Sequence, residues 1–475
     1  MLLLVVCFVA LLLGFLVYSR FVERPLLMFR DTTPAVTMAD GVDYVPLSRK
    51  KNLMIELLNI AGTGPIFGAL MGAKWGPIVF IWIVVGTIFG GAVHDYMCGM
   101  MSIRNDGKSA SYLVHRYLGD RLKYPLLLLV IFVLIMVSAT FARSASDLLE
   151  TITGVPMMVW IIFILIFFVA SALLPIDKLI GRIYPVFGIL LILMAVTVLV
   201  GLIVGGFEFP TFSLENQHPD GKEFFPDMFI TVACGAISGF HATQAPMVSR
   251  CLKDERDGRI VFYGAMVVEA VIALLWATAG LAFYGDTMSL AEALGLGGAS
   301  GVVYDISSGV AGPIGGLLAV IGVIICPITS GDTALRSARM MVQDDNINVH
   351  TEKRSSLVIT IILMIPIVAL CFMDFTILWN YFSWLNQTLA CMMLWTATVF
   401  ILQSTHHRAY ALITAVPAIF MTMIVSTFIL HSSLGLSLDY NLSLMIGAVV
   451  TIAVALLFTR VYVQGNGRKV GGAAN

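Results

Sequence analysis

Ala61-Gly62-Thr63-Gly64-Pro65 interrupts an apolar stretch, Leu53 to Gly72, that otherwise has the length and composition of a membrane-spanning helix. Glycine weakens a helix through its backbone freedom, and proline removes an N–H and clashes with the preceding turn. The span is therefore expected to break within 62–65. A break in the hydrocarbon region strips backbone N–H and C=O groups of their intrahelical partners. Such backbone is tolerated only where protein buries it or where it lines a watery cavity. A second interruption follows in Ala233-Cys234-Gly235-Ala236-Ile237-Ser238-Gly239-Phe240-His241. Two glycine-broken helices at matching places in two halves of a chain point to the binding site of a carrier.

The composition agrees with a membrane setting. Of 475 residues, 59% are hydrophobic and only 12% charged, against about 25% charged in soluble domains. The apolar runs are too long for barrel strands. A net charge of −1 gives no sign of a nucleic-acid partner. The seven cysteines have neither metal nor disulfide spacing. There is no Walker A loop, HExxH, GxSxG or CxxC, so no enzyme, cofactor, metal centre or ATP-driven pump is expected. Met1 to Tyr18 lacks the basic start of a signal peptide, and the positive charges follow it. It reads as a retained helix with its N-terminus outside.

Thirteen spans are expected, near 1–19, 53–72, 76–103, 122–143, 155–174, 182–205, 226–250, 258–285, 304–330, 354–373, 378–402, 408–430 and 441–462. With segment 20–52 in the cytoplasm, the inside connections hold 25 of the 28 Lys and Arg residues, leaving Lys74, Arg143 and Lys222 outside. That asymmetry is what the positive-inside rule requires, and it puts the C-terminus in the cytoplasm. Without the first span and the last two, ten remain as two groups of five, each opened by a broken helix. An odd number per group turns one group over relative to the other. The expected architecture is an all-α polytopic membrane protein with a leucine-transporter-like 5+5 inverted repeat. One extra helix precedes the repeat and two follow it. The segments are 1–52, 53–205 (first repeat), 206–225 (outer loop), 226–402 (second repeat) and 403–475.

Several residues in this frame can carry chemistry. Gly62, Thr63, Gly64 and Pro65 offer free backbone groups and a half-helix N-terminus, which suit a carboxylate. The alternative is a packing patch with a proline kink. Gly235, Ser238, Gly239, Phe240, His241 and Gln244 supply the second break. There Phe240 can cover an apolar part of a ligand, and His241 can bind a carboxylate or carry a proton. His94 and Asp95 are ionisable residues within a span, suited to proton relay or structural pairing. As neighbours they point about 100° apart and are not expected to share a partner. Glu269 has no sequence-local partner, and Glu56 is expected to pair with Arg49 to Lys51. Thr329, Ser330 and Thr333, beside Asp332, are candidates for a sodium site or for hydroxyls capping a helix end.

Phe21-Val-Glu-Arg24-Pro25, Gly41-Val-Asp43-Tyr44-Val-Pro46, Ala61-Gly-Thr-Gly-Pro65-Ile66, Gly91-Ala-Val-His94-Asp95, Arg104-Asn-Asp-Gly107-Lys-Ser109, the run 233–241 and Asp332-Thr-Ala-Leu-Arg336 together resemble the carbon starvation protein A family. The chain looks like a short member. The resemblance implies a bacterial inner-membrane secondary transporter of pyruvate or peptides, with proton coupling in the pyruvate carriers. The expectation is cation-coupled uptake of a small carboxylate such as pyruvate, driven by protons in preference to sodium. His94, Asp95, His241 and Glu269 are the proton candidates. A peptide or amino-acid importer is the alternative, and a channel is the reading from another class.

Overall fold

The computed structural model describes residues 1–26, 29–30, 32–41, 43–119, 121, 123–172, 176–345 and 353–464. Among these the chain is all helix and connection, with one isolated parallel bridge between Leu47 and Leu252. The helices run in order: α1 (Leu2–Leu26), α2 (Arg49–Ile60), α3 (64–72), α4 (79–104), α5 (Ala110–Leu118), α6 (Lys123–Thr153), α7 (Met157–Ala172) and α8 (Ile176–Val204). The second group is α9 (Asp227–Thr231), α10 (Gly239–Ser249), α11 (Glu255–Tyr284), α12 (Thr287–Asp345), α13 (Lys353–Leu370) and α14 (Phe375–Ser404), followed by α15 (Leu412–His431) and α16 (Tyr440–Val463).

Among the described residues, eight helical stretches are long and apolar enough to cross a membrane, and two shorter apolar helices, Met157–Ser171 and Ser355–Leu370, accompany them. They correspond to ten of the thirteen expected spans. The remaining three, 53–72, 226–250 and 304–330, are the discontinuous ones. α1 and α16 lie at the periphery, with exposed rows such as Leu2, Val5 and Val9 or Val449, Ile452 and Leu456. Such faces suit acyl chains rather than water. α4 and α14 are mostly buried and form the centre with α2, α3, α10 and α11.

Both breaks are present. α2 ends at Ile60, and helix resumes at Gly64 with Pro65 in the first turn, where a missing N–H leaves no helical bond unmade. Ala61 N–H donates to Leu57 O and Gly62 N–H to Ile60 O. The second break is unwound over 232–238, so Gly239 to His241 open α10 rather than lying in the gap. The breaks touch: a Cβ at Gly64 would stand 2.1 Å from the Cys234 Cβ, and one at Gly235 would stand 3.8 Å from the Pro65 Cα.

Three expectations need correction. The fourth span runs to Thr153, well past 143. Arg143 therefore lies within α6, where it donates to the carbonyls of Cys371 (2.6 Å) and Met373 (3.2 Å). The ninth span does not run 304–330, because α12 kinks at Gly298 and Gly312, each with φ +63°, and continues to Asp345. Thr329, Ser330 and Thr333 are thus mid-helix and cap no helix end. Finally, Glu56 does not pair with the basic residues at the start of α2. It is fully buried, while Arg49 reaches Asp257 at 3.4 Å.

The connection between α1 and α2 crosses one end of the molecule as a strap. Thr33 Oγ1 donates to Leu252 O (2.5 Å), Leu47 N–H to Cys251 O (2.9 Å) and Asn52 Nδ2 to Cys251 O (3.1 Å). Tyr44 OH donates to Asp106 O (2.8 Å), and the Arg250 guanidinium sits 5.1 Å from the Tyr44 ring. Glu255 is buried beneath the strap. Its carboxylate accepts from Arg104 Nε (2.7 Å) and from the Arg30 N–H (2.6 Å).

At the opposite end, loop 206–225 folds back on Trp75, whose Nε1 donates to the carbonyls of Lys222 (3.2 Å) and Glu223 (3.1 Å). His218 is buried against the Trp75 ring, with centroids 4.4 Å apart. Burial, helped by the Lys74 and Lys222 ammonium groups, pushes its pKa down to about 4.

Candidate functional site

The proton candidates, separated by up to 175 positions, form one buried chain. Asp95 in α4 accepts at Oδ1 from His94 Nδ1 (2.8 Å) and at Oδ2 from His241 Nδ1 (2.8 Å) of α10. His241 Nε2 faces Glu269 Oε2 of α11 at 3.5 Å. At the far end His94 Nε2 lies 3.7 Å from Cys98 Sγ. All four ionisable residues have exposures of 1% or less. Adjacent His94 and Asp95 do leave the helix in different directions. The His94 ring bonds Asp95 itself, while beyond that bond His94 reaches Cys98 and Asp95 reaches His241.

An ionised carboxylate only accepts, so with Asp95 charged each histidine presents an Nδ1–H to it. The far nitrogen of His241 then faces Glu269 with no hydrogen bond formed: neither that nitrogen nor either Glu269 oxygen has a partner among the described residues. A proton carried by either group would turn the approach into a hydrogen bond.

Glu56 lies close enough to Asp95 and Glu269 for their charges to interact. Among the described residues, neither Glu56 oxygen has a hydrogen-bond partner, nor do Asn59 Nδ2 and Oδ1, Thr63 Oγ1, Gln244 Oε1 or either Glu269 oxygen. Buried polar atoms without partners are costly and rare, and they mark places where something else binds. These lie on α2 before the first break, at the break itself, and on the facing α10 and α11.

The other substrate candidates are positioned as follows. Gly62 lies under the Phe141 ring, where a Cβ would stand 2.4 Å from the ring. Phe240 is wholly buried and meets Phe141 edge-on, with centroids 5.9 Å apart. Gln244 Nε2 donates to Thr243 Oγ1 (2.9 Å). Ser238 and the Phe240 N–H are held by one side chain that the sequence reading missed. Asn386 of α14 accepts from Phe240 N–H (2.6 Å) and donates to Ser238 Oγ (3.0 Å). Thr87 and Trp82 of α4 donate to the carbonyls of Gly235 (3.3 Å) and Val232 (3.0 Å). A signal for Asn386 did exist: Asn386-Gln387-Thr388 is a polar run inside an apolar span.

The sodium candidates spend their hydroxyls on backbone. Ser330 Oγ donates to Leu58 O (2.8 Å), fastening α12 to α2 just before the break. Thr329 Oγ1 donates to Cys326 O (2.9 Å), and Thr333 Oγ1 to Ser330 O (3.1 Å).

Comparison with known proteins adds the context. The family model described as carbon starvation protein CstA matches residues 1–205, 153–284 and 288–428. An uncharacterized membrane protein of Haemophilus influenzae is 38% identical over 346 residues, which is 61% of this chain and 93% of the relative. The peptide transporter CstA of Helicobacter pylori is 27% identical over 331 residues (55% of this chain, 48% of the relative). The pyruvate/proton symporter BtsT of Escherichia coli is 26% identical over 340 residues (56% and 46%). The chain thus spans about half the length of the named transporters it matches. Among solved structures, MhsT in complex with L-phenylalanine aligns over 87% of this chain and 99% of its own, with TM-score 0.57 and 15% identity. That likeness shows the fold, which is leucine-transporter-like.

Proposed function

The chain belongs to the carbon starvation protein CstA family, and from that premise we propose that it couples proton entry to uptake of a small carboxylate such as pyruvate. The family and its named relatives are transporters rather than enzymes. One observation carries the reading. Asp95 lies between His94 Nδ1 and His241 Nδ1, each at 2.8 Å, and the far nitrogen of His241 faces Glu269 at 3.5 Å. These residues belong to α4, α10 and α11. A proton entering or leaving the chain changes the attraction between elements that must shift against one another in alternating access.

In this reading the substrate occupies the space between residues 62–65 and 235–241. Its carboxylate faces the N-terminal turn of α3, where backbone N–H groups and the helix dipole favour an anion. Sodium coupling through Thr329, Ser330 and Thr333 is the weaker arm, since their hydroxyls already serve backbone carbonyls. The protein would act in the bacterial inner membrane, N-terminus outside and C-terminus in the cytoplasm, when carbon is scarce.

A second reading has its own support. Glu56 and Glu269 present unpartnered oxygens near the first break, which suits the ammonium group of a peptide or amino acid. Uptake of labelled pyruvate into proteoliposomes, under a proton or a sodium gradient imposed separately, decides among these. Accumulation driven by protons supports the proposal. Accumulation driven only by sodium moves coupling to α12. Uptake of alanyl peptides without pyruvate uptake selects the second reading, and flux that never accumulates selects a channel.

A further inference from the structure

We propose that Asp332 forms a second cation site, for one proton or one sodium ion, separate from the histidine–carboxylate chain. The inference rests on the reading of the protein as an ion-coupled carrier. Asp332 sits in α12 and is wholly buried. Its Oδ2 accepts from Ser171 Oγ of α7 (2.6 Å) and from Tyr184 OH of α8 (3.0 Å). Its Oδ1 is buried and has no hydrogen-bond partner. The Tyr184 hydroxyl also lies 3.3 Å from Thr329 O.

The carboxylate that carries the bare oxygen is held through its other oxygen by two hydroxyls, one of which also donates to a carbonyl, so its described hydrogen-bond partners are oxygen groups. A single negative charge in an oxygen-only set suits a hard monovalent ion or a proton. Divalent ions ask for more carboxylates, and softer metals ask for nitrogen or sulfur. Arg336, one turn along α12, does not fill Oδ1 by hydrogen bonding. Its guanidinium donates to Ser171 O (2.9 Å) and lies 3.9 Å from Asp43. Its positive charge also acts on Asp332, so a cation at Oδ1 competes with the guanidinium. A buried carboxylate oxygen left bare is costly, and a cation or a proton removes that cost.

The position explains how such an ion would be felt elsewhere. Ser330, two residues before Asp332, donates to Leu58 O at the end of α2. Occupancy at Asp332 fixes α12 against α7 and α8, and Ser330 carries that placement to the edge of the first break. The site lies on the surrounding helices, whereas the histidine chain lies on α4, α10 and α11. The two can therefore fill independently, and one substrate would travel with more than one cation.

The experiment uses purified full-length protein without substrate. Melting temperature is measured in sodium and in choline, and infrared spectra are recorded on acidification. For a sodium site, the wild type melts higher in sodium and Asp332→Asn loses that rise. For a proton site, a protonated-carboxyl band of the wild type is missing from Asp332→Asn. If Asp332→Asn does not fold, Tyr184→Phe serves in its place: it weakens the sodium response about tenfold by loss of one oxygen contact, and for a proton site it shifts the pH at which the carboxyl band appears, through loss of a donor to the carboxylate. A mutant that keeps both the sodium shift and the whole carboxyl band overturns the proposal, as does a wild type showing neither signal. A second arm measures the reversal potential of pyruvate uptake, where Asp332→Asn should carry one fewer positive charge per substrate. The melting and infrared arms need no transport, so failure of pyruvate as substrate is distinguished from failure of the site.

Discussion

Glu255 and Glu56 are both buried glutamates, at 1% and 0% exposure, yet their surroundings differ in kind. Under the strap, each Glu255 oxygen has a donor, one from Arg104 and one from the Arg30 backbone. Beside the first break, neither Glu56 oxygen has any, and Asn59 and Thr63 next to it are bare as well. A satisfied buried carboxylate holds elements together. An unsatisfied one is held in place by the elements around it at a cost in stability, which persists where function needs the group. The same residue type is thus satisfied at one end of α2 and, among the described residues, unsatisfied at the other.

The largest test of that contrast is Asp95→Asn. An amide cannot accept from both histidines as a carboxylate does, so the chain loses its central acceptor. Proton-driven accumulation should fall by at least about 100-fold, with the protein still folded by size-exclusion chromatography. Wild-type accumulation would leave the histidine chain a structural network.

Next in size is the contact between the breaks. Gly64→Ala places a Cβ 2.1 Å from that of Cys234. Uptake should drop by an order of magnitude or more, and Cys234→Gly in the same chain should restore part of it. Gly64→Leu, with no such relief, should abolish uptake. A Gly64→Leu protein that transports normally would separate the first break from the substrate path.

On the strap the effect should be one of stability. Glu255→Gln removes the carboxylate charge that Arg104 Nε and the Arg30 N–H meet, at a cost of about 3 kcal/mol. Denaturation midpoints should fall, while the protein that remains folded transports with unchanged ion dependence. A changed ion dependence would erase the distinction between the two glutamates.

The smallest effect is at the outer loop. His218 has a pKa of about 4 when docked, against about 6.5 in an unfolded chain. The undocked loop therefore takes up a proton that the docked loop refuses. Docking is at full strength above about pH 6.5 and weakens as pH falls toward 4. Hydrogen exchange across 206–225 should rise over that window, and His218→Gln should flatten the dependence.

Much of this was legible in the sequence, for reasons that are local. Gly62, Gly64 and Pro65 break a helix wherever they sit, and the apolar runs either side set its length. The family likeness, too, rests on short local motifs. What was illegible depended on partners far along the chain. Arg143 reads as a loop residue until the carbonyls of Cys371 and Met373, some 228 positions on, are there to receive it. The partner of Glu269 is His241 only because α10 and α11 meet at that height. Glu56 stands five to seven residues beyond Lys51 to Arg49 in sequence, and proximity along the chain does not show that its side chain ends wholly buried. Asn386 gave a compositional signal, but not which break it would hold.

Cys234 stands between the two discontinuities, 1% exposed, with Gly64 packed against its Cβ. All seven cysteines among the described residues are buried and unpaired. The unmodified chain therefore already contains a probe at the point where its halves must separate. A small thiol reagent can reach that sulfur only in the fraction of time the breaks stand apart. The rate of labelling then reads out how often the molecule opens, and its dependence on substrate and on gradient needs no engineered cysteine.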